Sequence, residues 1–186
     1  DQAENTYFAN QGFTKQWVLT PMMADIVAMS LMYGLSTTTR TGDTVYGFNS
    51  NAGSTYNANV ISPRNVALTI FDTGGTDTLD YSGFAFNQTI NLNAETFSNI
   101  GGRVGNLSIA RGTVIEKAVG GTASDVIVGN SANNTLTGGQ GVDTLTGGIG
   151  SDTFRDTASG LRGDTITDFR IGDRIVVPFP IACGGC

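Results

Sequence analysis

The sequence predicts an all-β protein: a parallel β-roll built from tandem repeats, a flanking β-sandwich part before it, and one N-terminal helix. Three observations carry this expectation. Four nine-residue blocks run in strict register over residues 120–155. Upstream of them, short β-branched and aromatic runs alternate with turn residues. Helical periodicity is confined to one stretch near the N-terminus. The boundaries that follow are 1–35 with a helix over 21–33, then 36–119, then 120–177, and an atypical tail over 178–186.

Residues 1–19 read as irregular. Thr20 then suits an N-cap, Pro21 the first helical position, and Asp25 the first turn. The helix is apolar nearly all round, and Gly34 fits its stop. Such a helix is expected to be buried, with Met22, Met23, Met29 and Met32 as core packing. After Gly34 the texture changes. Runs at 44–48, 66–71, 89–93 and 113–116 are separated by turns at 49–51, 73–75 and 101–102, the spacing of an all-β sandwich or solenoid.

The four blocks are 120–128, 129–137, 138–146 and 147–155. Each is a six-residue turn followed by a three-residue strand. The eighth position is always apolar (Ile127, Leu136, Leu145, Phe154), so these side chains should stack as a ladder inside the roll. One apolar side chain per nine residues buries too little to offset the ordering of those residues. A second source of stability is required, and the turns can supply it. The block matches the glycine- and aspartate-rich nonapeptide of calcium-binding RTX proteins. Turns i and i+2 stack about one strand spacing apart, roughly 4.8 Å, and calcium takes oxygen ligands at about 2.3–2.6 Å. An ion therefore fits between two stacked turns, with aspartate at position six as the charged donor. The expected pairs are Asp125 with Asp143 and Asn134 with Asp152, the second weaker because Asn134 lacks the charge. Ala123, Asn130 and Ala132 replace glycines of the pattern. The competing reading, a flexible Gly/Asn/Thr linker, conflicts with the strict register and the apolar ladder.

Bulk composition excludes several classes. With 39% hydrophobic and 14% charged residues the chain is too apolar for disorder, and 26 glycines mark many tight turns. A net charge of −6 argues against a nucleic-acid partner and leaves acidic groups free for a cation. Histidine is absent, which removes Ser-His-Asp chemistry and histidine-based zinc sites. No run reaches membrane-spanning length. The opening Asp1-Gln2-Ala3-Glu4 is not a signal peptide, and the chain reads as cut from something longer. Cys183 and Cys186 form a Cys-Gly-Gly-Cys end with no helix after it, so a processing or cloning origin is favoured over a redox role.

Two weaker patterns remain. Phe71-Asp72-Thr73-Gly74 is like an aspartic-protease loop, but that chemistry needs two aspartates sharing a proton, and the following Gly75 and Asp77 read better as a calcium turn. Asp164, Asp168 and Asp173 close the repeat region, either as solvated strand ends around a tight turn or as calcium ligands to the last turns. The glycines at 101, 102 and 105 lack the strand-to-helix context of a nucleotide loop.

Stretches 21–34, 39–51, 71–83 and 90–93, with the repeats, give a resemblance over about residues 4–177 to the C-terminal part of the serralysins, secreted bacterial zinc endopeptidases. The segment 39–51 is the specific one, since many secreted proteins carry the repeats. The resemblance implies that residues 1–35 are the end of a protease domain. It also implies several calcium sites. One would use Arg40, Gly42 and Thr44 with Asp72, Gly74 and Asp77. A second would use Gly75, Asp77, Glu116 and the carbonyl of Val114. In the repeats, Gly121, Ala123 and Asp125 would face Gly138, Gln140 and Asp143. The next layer would set Asn130, Ala132 and Asn134 opposite Gly147, Ile149 and Asp152. The turn glycines Gly139, Gly141, Gly148 and Gly150 complete the set. Catalytic zinc would belong to a protease half N-terminal to this chain, because the family's three-histidine motif is missing here, as is its C-terminal secretion segment. The expected function is calcium-driven folding and stabilisation of a secreted, extracellular metalloprotease after passage through type I secretion machinery. Two alternatives stand beside it: the chain as a piece of the zinc metalloendopeptidase itself, and a stand-alone calcium-binding adhesin or scaffold module.

Overall fold

The computed structural model describes Gly12, residues 16–61 and residues 64–178. In chain order the elements are β1 (Trp17–Val18), α1 (Met23–Tyr33), β2 (Val45–Gly47), α2 (Ala58–Ile61), β3 (Val66–Ile70), β4 (Thr78–Asp80), β5 (Thr89–Asn91), β6 (Phe97–Ser98), β7 (Leu107–Ile109), β8 (Lys117–Val119), β9 (Val126–Val128), β10 (Thr135–Thr137), β11 (Thr144–Thr146), β12 (Thr153–Arg155), β13 (Thr165–Ile166) and β14 (Arg174–Val176). The four strands expected from the repeats are present with the bounds that the period sets.

Two parallel sheets form the walls of a β-roll. One has six strands in the order β14-β12-β10-β8-β4-β2, the other four in the order β13-β11-β9-β5. Consecutive repeats alternate between walls, so β9 pairs with β11 (Ile127 with Leu145) and β10 with β12 (Leu136 with Phe154), eighteen residues apart in each case. The walls run past the repeats at both ends. Val126 pairs with Thr89 and Thr135 with Lys117 above them, while Thr165 and Arg174 pair with Thr144 and Thr153 below. The third sheet, β1-β3-β7-β6, flanks the roll and contains an antiparallel pair, β6 with β7.

The register produces the expected ladder. On the six-stranded wall Tyr46, Leu79, Ala118, Leu136 and Phe154 are fully buried, and Ile90, Ile127 and Leu145 face them from the other wall. Their strand neighbours point outward and stay part-exposed, as a period of two requires. In β3 every residue is buried, because the flanking sheet is covered on both faces there. Leu68, Ile70, Leu107 and Ile109 join it to the core of the roll.

The helix departs from expectation. It starts at Met23, and the first free backbone amide, that of Met22, is satisfied by Asp25 Oδ2 at 2.8 Å rather than by Thr20. Thr20 Oγ1 instead accepts the Thr69 amide at 2.7 Å, tying the helix entry to the flanking sheet. Gly34 ends the helix at φ 82°, as read from the sequence. Its apolar sequence predicts burial, but none of its residues is buried, and Leu31 and Tyr33 are 80% and 78% exposed. A surface that is apolar all round needs partners on every side, and the described residues cover only one.

Candidate functional site

The turns of the roll stack into two columns of polar side chains, and each column follows from the strand register. The residue before each strand is position six of its turn. On the four-stranded wall these residues are Gln88, Asp125, Asp143 and Asp164. On the six-stranded wall they are Thr44, Asp77, Glu116, Asn134, Asp152 and Asp173.

Within a column each carboxylate accepts the backbone N–H of its counterpart one coil earlier. Asp125 Oδ1 accepts from Gln88, Asp143 Oδ1 from Asp125 and Asp164 Oδ1 from Asp143, at 2.7, 2.7 and 2.8 Å. On the other wall Asp77 Oδ1 accepts from Thr44, Glu116 Oε2 from Asp77, Asp152 Oδ1 from Asn134 and Asp173 Oδ1 from Asp152, at 2.7–2.8 Å. Both expected pairs, Asp125 with Asp143 and Asn134 with Asp152, are therefore adjacent rungs.

Backbone carbonyls of each turn lie close against the glycines of the turn one coil below. Gly139 (φ 104°) and Gly141 (φ 117°) adopt left-handed conformations that bring them against the turn one coil above. A Cβ at Gly139 would lie 2.2 Å from the Gly121 oxygen, and one at Gly141 would lie 2.7 Å from the Ala123 oxygen. The next layer repeats the arrangement, with Gly148 against the Asn130 oxygen and Gly150 against that of Ala132. Gly75 lies in the same way against the Gly42 carbonyl. Gln140 and Ile149 donate their N–H groups to the carbonyls of Gly121 and Asn130 at 3.0 Å. Gly138 and Gly147 sit directly under Asp143 and Asp152, where a side chain would meet the Oδ2 atoms.

The electrostatics are those of a site short of positive charge. Burial pushes the Asp143 carboxyl up to about 6, with further repulsion from Asp164, Asp125 and Asp156. Burial likewise pushes Asp77 up to about 6, reinforced by Asp72, Glu116 and Asp43. Asp125, Asp152 and Asp164 are raised too, each chiefly by burial. Asp143 Oδ2 and Asp164 Oδ2 are buried with no hydrogen-bond partner. Native proteins rarely leave such atoms orphaned, and a cation is a partner that suits two buried carboxylate oxygens. Hard oxygen donors from carboxylates and carbonyls, with no sulfur or nitrogen among them, suit calcium. Among the described residues no three Asp, Glu, His or Cys side chains converge, so any ion here would depend on two carboxylates and the surrounding carbonyls.

The first turns are more self-contained. Asp72 Oδ2 accepts the Tyr46 hydroxyl at 2.6 Å and Asp72 Oδ1 accepts the Gly74 N–H, so the Asp-Thr-Gly loop is engaged within the fold. Arg40 (φ 51°) donates to the Phe71 carbonyl and lies 4.8 Å from the Tyr56 ring centroid. Thr44 Oγ1 donates to the Gly42 carbonyl, and the half-exposed Val114 stands two residues before Glu116. Asp72 and Glu116 lie close enough to Asp77 to raise its carboxyl together.

The closing segment takes part in both columns. Asp164 and Asp173 are the last rungs, and Asp168 accepts the N–H groups of Gly147 and Gly148 at 2.7 and 2.9 Å. Two residues were not legible in the sequence. Asp156 Oδ2 accepts the Gly139 N–H at 2.7 Å, performing for the third turn what Asp168 does for the fourth. Gln88 heads the four-stranded column, with its Oε1 buried and unpartnered. The signal for Gln88 was its position one residue before a strand whose central Ile90 joins the ladder. Cys183 and Cys186 lie outside the described residues.

Among the described residues no helix is long and apolar enough to cross a membrane. A family model described as peptidase M10 serralysin C terminal matches residues 35–178. The chain is 46% identical over 121 residues to serralysin B of Dickeya chrysanthemi, covering 65% of this chain and 24% of that protein. Over 102 residues it is 52% identical to serralysin C of the same organism and 50% identical to metalloprotease AprA of Pseudomonas entomophila strain L48, covering 55% of this chain and 21% of each relative. The match thus spans about a quarter of these relatives' length or less.

Proposed function

Because the chain belongs to the peptidase M10 serralysin C-terminal family, we propose that it is the calcium-binding, non-catalytic part of a secreted metalloprotease, and that calcium drives its folding outside the cell. The observation that carries this reading is the pair of buried, unpartnered carboxylate oxygens on Asp143 and Asp164, neighbouring rungs of one column. Calcium would supply positive charge to these carboxylates. The residues we assign to it are Gly121, Ala123 and Asp125 with Gly138, Gln140 and Asp143, then Asn130, Ala132 and Asn134 with Gly147, Ile149 and Asp152, and the closing Asp164, Asp168 and Asp173. At the start of the roll the same role falls to Arg40, Gly42, Thr44, Asp72, Gly74, Gly75, Asp77, Val114 and Glu116.

The mechanism is linkage. An ion that binds only the folded turns stabilises them by mass action, and extracellular calcium modules bind at roughly 0.1–1 mM. At low calcium the carboxylate columns repel and the thin core does not compensate, so the chain stays loose enough for type I secretion. At high calcium the columns close. Proteolysis would need a zinc-binding half N-terminal to this chain, since the chain contains no histidine. The exposed apolar face of α1, with Leu31, Met32 and Tyr33, supports attachment to such a half over a stand-alone adhesin.

The reading is tested by far-UV circular dichroism of the chelator-stripped chain. A large gain in β signal and in thermal midpoint, from a loose and only partly β calcium-free state, is expected between micromolar and millimolar calcium, with none on adding magnesium. A chain already β-rich in chelator and indifferent to calcium would sink it.

A further inference from the structure

At one rung the column changes its chemistry. Elsewhere a carboxylate accepts the N–H of the coil above, but the Glu116 N–H is turned away to the Asp77 carbonyl. The turn above Asn134 presents carbonyls instead. Asn134 Nδ2 donates to the oxygens of Ile115 and Glu116, both at 3.2 Å. Asn130 Nδ2 donates to the oxygens of Ile115 and Leu92 at 2.8 and 3.1 Å. Three backbone carbonyls from two chain segments thus converge on two side-chain amides, and Asn134 is 1% exposed.

Converging carbonyls create a negative potential that a cation or a set of N–H donors must answer. An aspartate at 134 would place a carboxylate against the Ile115 and Glu116 oxygens with no donor between them. Asparagine keeps the one acceptor that its own turn requires, since Asn134 Oδ1 accepts the Asn130 N–H at 2.8 Å, and it supplies donors on the other side. We propose that Asn130 and Asn134 stand in for a cation at this rung. They form a calcium-independent clamp that holds the first repeats to the preceding coil when the turns below have opened. This rests on the calcium reading of the other turns. Its consequence is an order of events: β8 and β10 persist at low calcium as a template, and β11 and β12 add to it as calcium rises.

The test is hydrogen exchange of the whole chain in chelator and in calcium, with Asn134→Asp as a second arm. In chelator, amides of β8 and β10 are expected to exchange at least tenfold more slowly than those of β11 and β12. Equal exchange in the two groups in chelator, with calcium protecting both together, would overturn the clamp alone. Exchange that ignores calcium throughout the chain would instead overturn the parent reading. Asn134→Asp is expected to lower the thermal midpoint in chelator by roughly 5 °C or more, with calcium restoring most of the loss and one further ion bound. A loss equal in chelator and calcium, or no loss at all, would mean that the carbonyls do not form a cation-type pocket, and would overturn the proposal.

Discussion

Asp143→Asn is expected to raise the thermal midpoint of the calcium-free protein and to lower that of the calcium-loaded one. The two signs come from the same oxygen. Asp143 is fully buried, its Oδ1 holds the Asp125 N–H, and its Oδ2 has no partner. A carboxyl held near 6 instead of the ordinary 3.8 costs the calcium-free fold on the order of 3 kcal/mol at pH 7. Asparagine keeps an acceptor for Asp125 and removes the charge, so in chelator the variant should gain part of that amount. In calcium it loses a charged ligand, and the midpoint should fall. Acid should act on the wild type as the substitution does. The folded state holds this proton more tightly than the unfolded chain, so the penalty is full above about 6, recedes as pH falls, and is gone below 3.8. Asp77 titrates over the same window and adds to the effect. Melting curves in chelator and in calcium, at pH 7 and pH 5, read both effects; a shift of one sign in both media would show that Asp143 is a structural acceptor only.

Phe154→Ala should cost about 3–5 kcal/mol, close to the limit that a thin core can lose. Phe154 is fully buried and sits between Leu136 and Ile175 in the register of its wall, with the Phe169 ring 6.1 Å away. Each nine-residue block contributes one such side chain, so no second layer can collapse into the space. At saturating calcium the midpoint should drop by roughly 10 °C or more. Folding and ion binding are linked, so the calcium concentration at half-folding should rise as well. A calcium midpoint that stays fixed while the thermal midpoint falls would uncouple the ladder from the turns.

The repeats were legible because a period of nine sets both the ladder and the columns. Ile127, Leu136, Leu145 and Phe154 lie where the eighth position requires. Asp125 and Asp143, like Asn134 and Asp152, are neighbouring rungs because turns two blocks apart stack. The earlier coils obey the same geometry without the period. Val45, Thr78 and Lys117 pair in one wall although 33 and 39 residues separate them. The extra length holds the flanking strands β3 and β7, which masks the roll in the sequence. Gln88 and Asp156 were missed for that reason: one precedes the regular blocks and the other follows them. The exposure of the helix has a different cause. An apolar sequence says that a surface needs covering, but not that the cover lies in the same chain. In the sequence Asn134 looks like a weakened aspartate, because the sequence does not reveal that the turn above it offers carbonyls.

The most direct measurement is the number of calcium ions held by the purified chain at millimolar free calcium, by flow dialysis at pH 7 with magnesium present in excess. Several ions per chain are expected, with fewer for Asp143→Asn. A chain that retains no calcium under these conditions would contradict the reading of the columns as calcium sites, and the buried oxygens of Asp143 and Asp164 would need another partner.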